Sequence, residues 1–358
     1  MIKKVLYIIN LVFVLLLLGV YVGVRVSPEF IAELSLFSYI YPFLLIVNLL
    51  FCLFWLFVKW KYLILPLVVI LIGVDFIPRF IGINSSNENI SENSLKVMTY
   101  NVKGFSQGAE EDRTIATRNK DSILSLIENY DPDIVCLQEY GSVKKSEKSF
   151  HYIMTKKLEY KYFYAPYNYT NYVRGSVIYS KYEISRSGAL FPLDKEFYQK
   201  TYADIHFLDK KFRVYNVHLD SYMLSDEEKF EVDNIKTGQI TSKQTSKNVL
   251  KKIVETTKEQ SKEVRELSSV IENTDIACIL VGDFNATAYS YTYQMLTSKL
   301  KDGFVEKGQG FSGTYNYFAP KFRIDYILVS DEIEVEAYQQ DYFEYSDHNP
   351  VVVSFKLD

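Results

Sequence analysis

The sequence predicts a mixed α/β or α+β sandwich that follows a membrane-inserted region. The first 81 of the 358 residues contain long runs without charge, and the composition then changes to that of a globular domain. In the later part, runs rich in β-branched and aromatic residues alternate with helical stretches. Several of these apolar runs end in a polar cluster, which is typical of strand tips that carry a functional site.

The amino-terminal region predicts transmembrane helices. Residues 5–24 carry no charge over 20 positions, and at ~1.5 Å per residue they match a hydrocarbon core ~30 Å thick. A second uncharged run covers residues 36–58, and a third covers 62–74 but is short and contains Pro66. We predict three spans within residues 1–81, with two as the alternative. A cleaved signal peptide is a further interpretation of the first run, although its length and the lack of a clear cleavage site oppose it.

The basic residues predict the orientation in the membrane. Lys3 and Lys4 precede the first span, and Lys59 and Lys61 lie between the second and the third. With three spans both pairs fall on one side, so the amino terminus is expected in the cytoplasm and the large domain outside it. Arg79 is the one contrary charge. We therefore expect an integral protein of the cell or inner membrane, whose partner is the lipid bilayer; with two spans the domain would be cytoplasmic.

The rest of the chain predicts a linker over residues 82–94 and one domain over residues 95–358. The linker is polar and has no apolar periodicity. A long charged stretch, 221–260, is interpreted as a surface helix or as an insertion near the site. The predicted helices are Arg113–Asn129 and Ser246–Asn273, and the predicted strands are Leu95–Asn101, Ile134–Gln138, Ser176–Tyr179, Phe212–His218, Ala277–Val281, Tyr326–Val329 and Val351–Phe355.

The charge of this domain does not favour nucleic acid. Six basic and three acidic residues lie in the first 81 positions, so 34 basic and 41 acidic residues remain and the formal charge is about −7. Phosphate-binding proteins usually present a basic surface. An acidic domain tethered to a bilayer slightly favours lipid or small-molecule phosphoesters over duplex DNA. No protein partner can be deduced from the sequence.

Carboxylates and amides at the ends of three apolar runs predict a site for a hard cation. Asp283 and Asn285 follow one run and point to the same side of an extended backbone. Asn101 ends a second run, and Glu139 ends a third. Oxygen ligands of this kind suit a divalent cation, most of all Mg²⁺, with Mn²⁺ or Ca²⁺ as alternatives, and the chain has no Cys/His spacing typical of zinc.

Two of the four histidines follow the same pattern. His218 ends one apolar run, and His348 follows Asp347 in the segment SDHNP. An imidazole titrates near neutral pH, so one can accept a proton from water while another donates to a phosphoryl oxygen. Asp325 is expected to hold the tautomer of a base histidine. The alternative is that Asp325 forms a structural ion pair with Arg323, which lies on the same face of the strand.

Six motifs in this order resemble the endonuclease/exonuclease/phosphatase superfamily, whose members are similar to DNase I. The motifs are YNVKGF, DIVCLQE, NVHL, GDFNA, RIDYILVS and SDHNP, and they cover roughly residues 95–358. The resemblance implies a four-layer αββα sandwich in which two mixed sheets pack face to face. It also implies metal-dependent hydrolysis of phosphoesters. The predicted protein is therefore a phosphodiesterase or phosphatase anchored in a membrane.

The same resemblance implies roles for the residues of the cation site. Glu139 resembles the principal metal ligand of the family, and Asn101 resembles the amide beside it. Asp347 resembles a further carboxylate of the metal site. Asp283 resembles the residue that positions or activates the nucleophile, and Asn285 resembles its phosphate-contacting partner.

The two histidines and one arginine complete the predicted site. His218 resembles the phosphate-binding or proton-donating histidine, and His348 resembles the base paired with Asp325. The match to the family is poor between Tyr140 and Phe212, where substrate-contacting loops would lie. Arg174 in that region is expected to contact phosphate, because a guanidinium group suits phosphate geometry.

Two other functions remain alternatives at this level. One is a membrane-tethered nuclease, which salt-dependent release of short nucleotides would indicate. The other is a binding protein of the same fold that has lost turnover, although the predicted site residues are all present. The sequence therefore predicts the reaction class more closely than the substrate, which is a lipid, a small molecule or a nucleic acid.

Overall fold

The computed structural model describes residues 1–85, 90–106, 113–192, 199–236, 239, 242–317 and 321–357. The chain forms two compact units. The first comprises Met1–Phe80, Ser221–Ser268 and Ala286–Ser298, and the second comprises Ile81–Asp220, Ser269–Asn285 and Lys299–Asp358. The sequence predicted one boundary near residue 81, whereas two later segments also belong to the first unit.

The helices and strands alternate along most of the chain. The helices are α1 (Ile2–Gly23), α2 (Tyr41–Val58), α3 (Trp60–Ile72), α4 (Arg113–Tyr130), α5 (Phe150–Lys156), α6 (Asp226–Lys236), α7 (Lys243–Glu272), α8 (Tyr291–Thr297) and α9 (Gly303–Lys307). The strands are β1 (Ile81–Ile83), β2 (Leu95–Asn101), β3 (Ile134–Val143), β4 (Tyr162–Tyr164), β5 (Tyr167–Asn168), β6 (Tyr172–Ser180), β7 (Ile184–Ala189), β8 (Lys200–Phe207), β9 (Lys210–His218), β10 (Cys278–Asp283), β11 (Lys301–Asp302), β12 (Gln309–Phe311), β13 (Asp325–Val329), β14 (Ile333–Gln340) and β15 (Val351–Leu357).

Two helices of the first unit are long and apolar enough to cross a membrane. They are α1, with 22 residues, and α2, with 18 residues, whereas α3 is apolar but has only 13 residues. Polar side chains join α1 to α2: Trp55 Nε1 donates to Asn10 Oδ1 at 3.1 Å, and Asn48 Nδ2 donates to the Phe13 carbonyl at 3.2 Å. Both asparagines are fully buried. Length and composition support two spans, and the third span remains a prediction.

The charged stretch over residues 221–260 belongs to the first unit and contributes α6 and part of α7. Residues 237, 238, 240 and 241 lie outside the described part of this stretch. The segment between α1 and α2 contacts it at two points: Glu29 pairs with Arg265, and the Tyr39 hydroxyl donates to the Tyr222 hydroxyl. The stretch therefore packs with the loop that follows the first apolar helix.

The second unit confirms the predicted α+β sandwich. One sheet has the order β11-β13-β10-β9-β8-β7, and the other has the order β14-β15-β2-β3-β6-β4, with β5 paired to β6. Valine, isoleucine, leucine and phenylalanine side chains from both sheets fill the core between them. On the outer face of the second sheet, side chains of α4 and α5 form another buried cluster. This helix layer and the two facing sheets fit the four-layer αββα sandwich that the resemblance implies.

The segment predicted as a linker is partly bound to the second unit. Strand β1 pairs in antiparallel register with β12. Asn84 Nδ2 donates to the carbonyls of Val305 and Gly308 at 3.1 and 3.0 Å. Residues 86–89 of the predicted linker lie outside the described residues. The described part is therefore fixed by an added strand pair, a non-local contact that local polarity does not reveal.

Candidate active site

Three neighbouring strands of one sheet end with ionisable side chains at the same level. Strand β10 pairs in parallel with β9 so that Asp283 is opposite His218, and it pairs in antiparallel with β13 so that Asp283 is opposite Asp325. All three residues are about 1% exposed. His218 and Asp283 are the last residues of their strands and Asp325 is the first of β13, so the register of the sheet brings these three groups together.

The other sheet supplies an amide and a carboxylate. Asn101 ends β2 and is fully buried, and it pairs across the sheet with Gln138, the residue before Glu139. The register of β3 shifts between Leu137 and Tyr140, and Glu139 has a φ of 51°. A bulge with a left-handed residue redirects a side chain. In β3 the bulge interrupts the alternation of side chains between the two faces of the sheet at Glu139.

Asn101 joins the two sheets at the site. Its Nδ2 atom donates to Glu139 Oε1 and to Asp283 Oδ2, both at 3.0 Å. The His218 Nε2 atom lies 3.5 Å from Asp283 Oδ2 and 3.8 Å from Glu139 Oε1. Four residues that the sequence predicted from separate motifs therefore meet in one place. Their individual roles stay predictions.

His348 forms a buried pair with Asp325. The Nδ1 atom of His348 lies 2.9 Å from Asp325 Oδ2 and 3.1 Å from Oδ1, and its Nε2 atom lies 3.6 Å from Asp283 Oδ2. Burial by itself would lower the pKa of His348, but the negative charges of Asp325 and Asp283 outweigh it and raise the pKa. The metal-free protein therefore favours a protonated His348 at neutral pH.

Asp283 lies at the centre of this group. Burial raises the pKa of its carboxyl group, while the positive charge of His348 opposes the rise. A carboxylate in this setting has more affinity for a proton than one in water has. Because Asp283 and His348 interact strongly, these two groups titrate as one system.

Asn285 and Asp347 lie at the edges of the group. The backbone N–H of Asn285 donates to Asp283 Oδ1 at 2.8 Å, and its side-chain Nδ2 donates to the carbonyl of Leu219 at 3.0 Å. Asn285 has a φ of 48°, so it turns the chain sharply directly after Asp283. Asp347 Oδ2 forms an ion pair with Lys103 Nζ at 3.0 Å, and its Oδ1 lies 4.0 Å from His348 Nε2.

Glu139 opens the site to a cavity of about 400 Å³. The Glu139 side chain is 34% exposed, whereas His218 and Asp283 are each 1% exposed. Arg174, on β6, lines the same cavity as Glu139. Lys103 and Tyr172 also line it. Glu139 therefore borders both the buried group and the cavity, and Arg174, the predicted phosphate contact, lies on the cavity side.

Sequence reasoning missed Tyr315 and Lys103. Tyr315 forms an isolated bridge with His348, and the centroids of the two rings are 5.0 Å apart. Burial and then the nearby charges of Asp347 and Asp283 raise the pKa of the Tyr315 hydroxyl. Tyr315 lies in no motif, so nothing in its local sequence indicates the site. Lys103 could have been found, because it lies two residues after Asn101 in YNVKGF.

The alternative ion pair between Arg323 and Asp325 does not form in this structure. Arg323 Nη1 instead pairs with Asp302 Oδ2 at 2.6 Å, and both side chains are 3% exposed. Asp325 contacts His348, as the orienting role requires. Arg323 therefore forms a structural ion pair with Asp302. The predicted alternative was wrong, because it named Asp325 as the partner of Arg323.

The residues present fit a divalent cation. Four carboxylates occur together, those of Glu139, Asp283, Asp325 and Asp347. Lys103 and a protonated His348 offset part of this negative charge, and a bound divalent cation would offset more of it. Glu139 and Asp347 offer the oxygen donors that a hard cation prefers. Asn101 would offer its amide oxygen if the amide turned, because its Nδ2 here faces Glu139 and its Oδ1 accepts from the backbone N–H of Lys103. Among the described residues, Asp283, Asp325 and His348 also place one ligand atom each within 4.8 Å of one another. Since His348 Nδ1 already faces Asp325, that triplet fits proton transfer better than metal ligation.

The comparisons with known proteins agree with this geometry. Residues 98–348 match the model of the endonuclease/exonuclease/phosphatase family, and residues 3–80 match a model described as a domain of unknown function (DUF8431). No curated protein matches the chain.

Solved structures support the fold at low sequence identity. The endonuclease/exonuclease/phosphatase from Bacteroides vulgatus superposes with a TM-score of 0.50 at 17% identity, covering 74% of this chain and 99% of that chain. D. rerio TDP2 complexed with single-strand DNA product superposes with a TM-score of 0.51 at 16% identity, covering 74% of this chain and all of that chain.

Proposed function

The chain belongs to the endonuclease/exonuclease/phosphatase family, and on this premise we propose that it is a membrane-anchored, divalent-cation-dependent hydrolase of phosphoric esters. Members of this family are phosphoester hydrolases. One observation carries the proposal: Asn101 Nδ2 lies 3.0 Å from both Glu139 Oε1 and Asp283 Oδ2, so groups from both sheets converge on one point. A structural role alone would not require this concentration of buried carboxylates.

Glu139 and Asn101 would hold the cation, with Asp347 as a further carboxylate. Mg²⁺ is the proposed ion because the donors are oxygen atoms, and Mn²⁺ or Ca²⁺ are the alternatives. A bound divalent cation supplies Lewis-acid stabilisation of the charge that develops on the phosphoryl oxygens. Lys103 already pairs with Asp347 at 3.0 Å, so it limits the negative charge at that edge.

The protein side chains carry out the proton transfers. Asp283 accepts a proton from the attacking water, because burial raises its pKa and the two histidines flank its Oδ2 atom. The His348 imidazolium, held by Asp325, stabilises the negative charge on the phosphoryl group. As the bond from phosphorus to the leaving oxygen breaks, His218 donates a proton to that oxygen. Water thus adds to phosphorus, and the leaving group departs as an alcohol.

Two residues position the phosphate group. Arg174 lines the cavity beside Glu139, where its guanidinium group can bind two phosphate oxygens. Asn285 follows Asp283 directly, and its backbone bond to Asp283 Oδ1 places it at the same edge. Charge on the domain as a whole is negative, so these local groups, rather than a basic surface, are proposed to select the phosphoester.

The contacts of the first unit support three spans. The rings of Tyr7 and Tyr62 are 4.3 Å apart, so the start of α1 lies beside the turn between α2 and α3. Gly73 follows α3 and lies against the ring of Tyr21, near the other end of α1. Helix α3 therefore lies along the part of α1 between Tyr7 and Tyr21, a length of about 20 Å at ~1.5 Å per residue, which is shorter than a hydrocarbon core. We propose that α3 and the residues after it complete the third crossing.

Charge supports the orientation that accompanies three spans. The contact between Tyr7 and Tyr62 brings both lysine pairs, residues 3–4 and 59–61, to one end of the bundle. At the other end, Arg79 Nη1 donates to the carbonyl of Ala288 and Nη2 donates to Gln294 Oε1. Arg79, the one basic residue that the positive-inside rule would not place at this end, is thus hydrogen-bonded to other residues of the first unit. The positive-inside rule then assigns the lysine end to the cytoplasm and the later chain to the outside.

A reporter fusion tests this orientation. A periplasm-active phosphatase fused after Asp358 should be active, and a cytoplasm-active reporter at the same position should not be. The reverse pattern would refute three spans and favour two. The buried bond between Asn10 and Trp55 predicts in addition that the mature protein keeps α1, which mass spectrometry of the purified chain would check.

Hydrolysis of bis-nitrophenyl phosphate by the full chain in detergent tests the enzymatic proposal. We expect turnover with Mg²⁺ or Mn²⁺, none with a chelator, and a loss of at least ~100-fold in Glu139→Gln. Glu147→Gln is the matched control, because Glu147 is exposed and lies outside the site. Turnover that survives chelation, or a Glu139→Gln protein as active as the control, would refute the proposal. Sphingomyelin, inositol phosphates and oligonucleotides then separate the lipid, small-molecule and nucleic-acid substrates.

A further inference from the structure

The inner faces of four strands become more polar toward the candidate site. Alternate residues of a strand share this face. Along β2 they are Val97, Thr99 and Asn101, and along β9 they are Val214, Asn216 and His218. Along β3 Gln138 follows Cys136, and along β10 Asp283 follows Val281 directly. Val97, Cys136, Val214 and Val281 belong to the apolar layer between the sheets, whereas Thr99, Gln138 and Asn216 are polar and fully buried.

Gln138 and Asn216 bind each other across the gap between the two sheets. Gln138 Nε2 donates to Asn216 Oδ1 at 2.7 Å and to Thr99 Oγ1 at 2.9 Å. Asn216 Nδ2 donates to the carbonyls of Leu137 and Val177 at 3.2 and 3.0 Å. The Asn216 side chain thus binds partners on two strands of the other sheet, because β3 supplies the Leu137 carbonyl and the Gln138 amide and β6 supplies the Val177 carbonyl. The sheets are joined by directional bonds here, whereas the apolar layer below joins them by contact alone.

These bonds reach the backbone directly before Glu139. Gln138 precedes Glu139 and Asn216 lies two residues before His218 on β9. The bulge of β3 begins after Leu137, and Glu139 has a left-handed φ of 51°. A non-glycine residue keeps such a conformation only where the surrounding structure determines it strongly. The carbonyl of Leu137 accepts a bond from Asn216, and the carbonyl of Gln138 accepts one from the backbone N–H of Val102 at 3.1 Å.

We propose that Gln138 and Asn216 are positioning residues, which set the distance between Glu139 on one sheet and His218 and Asp283 on the other. This inference rests on the proposed function, because it concerns the cation and phosphoester site assigned there. Both side chains are neutral amides, so they fix the spacing without adding charge to the four carboxylates above them. Bonds behind a metal ligand orient it, and their loss typically weakens metal affinity or activity by about 10–100-fold.

Gln138→Met in the full chain is the principal test. Methionine has a similar length and flexibility but cannot donate to Asn216 or Thr99. We expect kcat to fall by about 10–100-fold with KM changed by less than ~3-fold, and the affinity for Mn²⁺, measured by electron paramagnetic resonance, to fall by a similar factor. The shift in metal affinity distinguishes a positioning role from a general loss of stability.

Leu137→Met is the matched control. Leu137 is adjacent to Gln138 and equally buried, but its side chain packs in the cluster on the opposite face of β3. This variant should lower the thermal midpoint without changing kcat or Mn²⁺ affinity. If Gln138→Met does not fold, Thr99→Val serves instead, because valine keeps the shape of threonine and removes only one acceptor of Gln138. The Thr99→Val protein should bind Mn²⁺ roughly 2–5-fold more weakly than the wild type.

The outcomes separate this inference from the function on which it rests. Wild-type kcat and Mn²⁺ affinity in folded Gln138→Met, or in Thr99→Val where that is the variant used, would overturn the positioning role. Equal losses in Gln138→Met and Leu137→Met would overturn it as well. If the wild-type chain neither hydrolyses the phosphoester nor binds Mn²⁺, the proposed function itself fails.

Discussion

Asp325→Asn is the substitution that most sharply separates catalysis from folding in this protein. Asparagine keeps the shape of the side chain but removes the charge that faces His348 Nδ1 at 2.9 and 3.1 Å. Asp325 is 1% exposed and His348 is 5% exposed, so water cannot replace the lost interaction. The variant therefore loses both the orientation of the ring and the charge that keeps it protonated.

The expected loss in kcat/KM is about 10²–10³-fold, which is the usual cost of removing one group that stabilises the charge developing on the reacting oxygens. At about 1.4 kcal/mol for each factor of ten, this corresponds to about 3–4 kcal/mol of activation free energy. The lower end applies if Asp283 alone can hold His348, since its Oδ2 atom is 3.6 Å from Nε2. The upper end applies if the ring rotates away. The assay is hydrolysis of bis-nitrophenyl phosphate by the full chain with saturating Mg²⁺.

Asp302→Asn is the control for this experiment. Asp302 is as buried as Asp325, and it forms the ion pair with Arg323, but it does not contact His348. Removing one partner of a buried pair is strongly destabilising, so Asp302→Asn should lower the thermal midpoint while kcat stays within ~3-fold. A folded Asp325→Asn protein that keeps kcat/KM within ~3-fold of the wild type, or equal losses of activity in both variants, would refute the proposed role of Asp325.

Two further results are expected. The pKa of His348 is raised to about 10, above that of an unfolded histidine, so its contribution to stability is complete below about pH 6.5 and is lost as pH rises toward 10. The metal-free wild type should therefore lose up to about 1.4 kcal/mol of unfolding free energy per pH unit in that window relative to His348→Gln, and parallel curves in chemical denaturation would contradict this. Arg174→Ala should raise KM for a phosphoester by about 10-fold with little change in kcat, and Arg174→Lys should recover only part of it, because lysine cannot bind two oxygens at once; an unchanged KM would exclude the phosphate contact.

The strands that carry the site could be predicted from the sequence because each is a short apolar run with a polar end. Strand β2 begins and ends where the alternation predicts, at Leu95 and Asn101. Strand β3 is longer than predicted and continues to Val143, because the bulge at Glu139 lets the strand run on past its polar end. Family motifs then identified which of these ends meet, which propensity alone could not do.

Elements defined by distant partners could not be predicted in this way. Strands β7 and β8 were missed, since both contain charged or polar residues that disguise their alternation. The two segments that join the first unit show the same limit. Tyr289 packs in the core of that unit with Tyr41 and Phe76, at ring distances of 4.1 and 6.4 Å, yet it lies only four residues after Asn285. Nothing local distinguishes such a tyrosine from one in the sheet domain.

Within the site, the sequence predicted the charged groups but not the groups that organise them. Carboxylates and histidines at strand ends are unusual enough to indicate a function. A neutral pair such as Gln138 and Asn216 has no such signal, because buried amides are common wherever partners exist. The role of this pair depends on which side chains face each other across the two sheets, and only the folded structure shows those contacts.

Anomalous diffraction from crystals of the protein grown with Mn²⁺ tests the central claim most directly. We expect a manganese peak within about 2.0–2.4 Å of a Glu139 carboxylate oxygen, with Asn101 turned so that its amide oxygen faces the ion. A peak bound only by Asp283, Asp325 and His348, or full occupancy elsewhere with none beside Glu139, would contradict it.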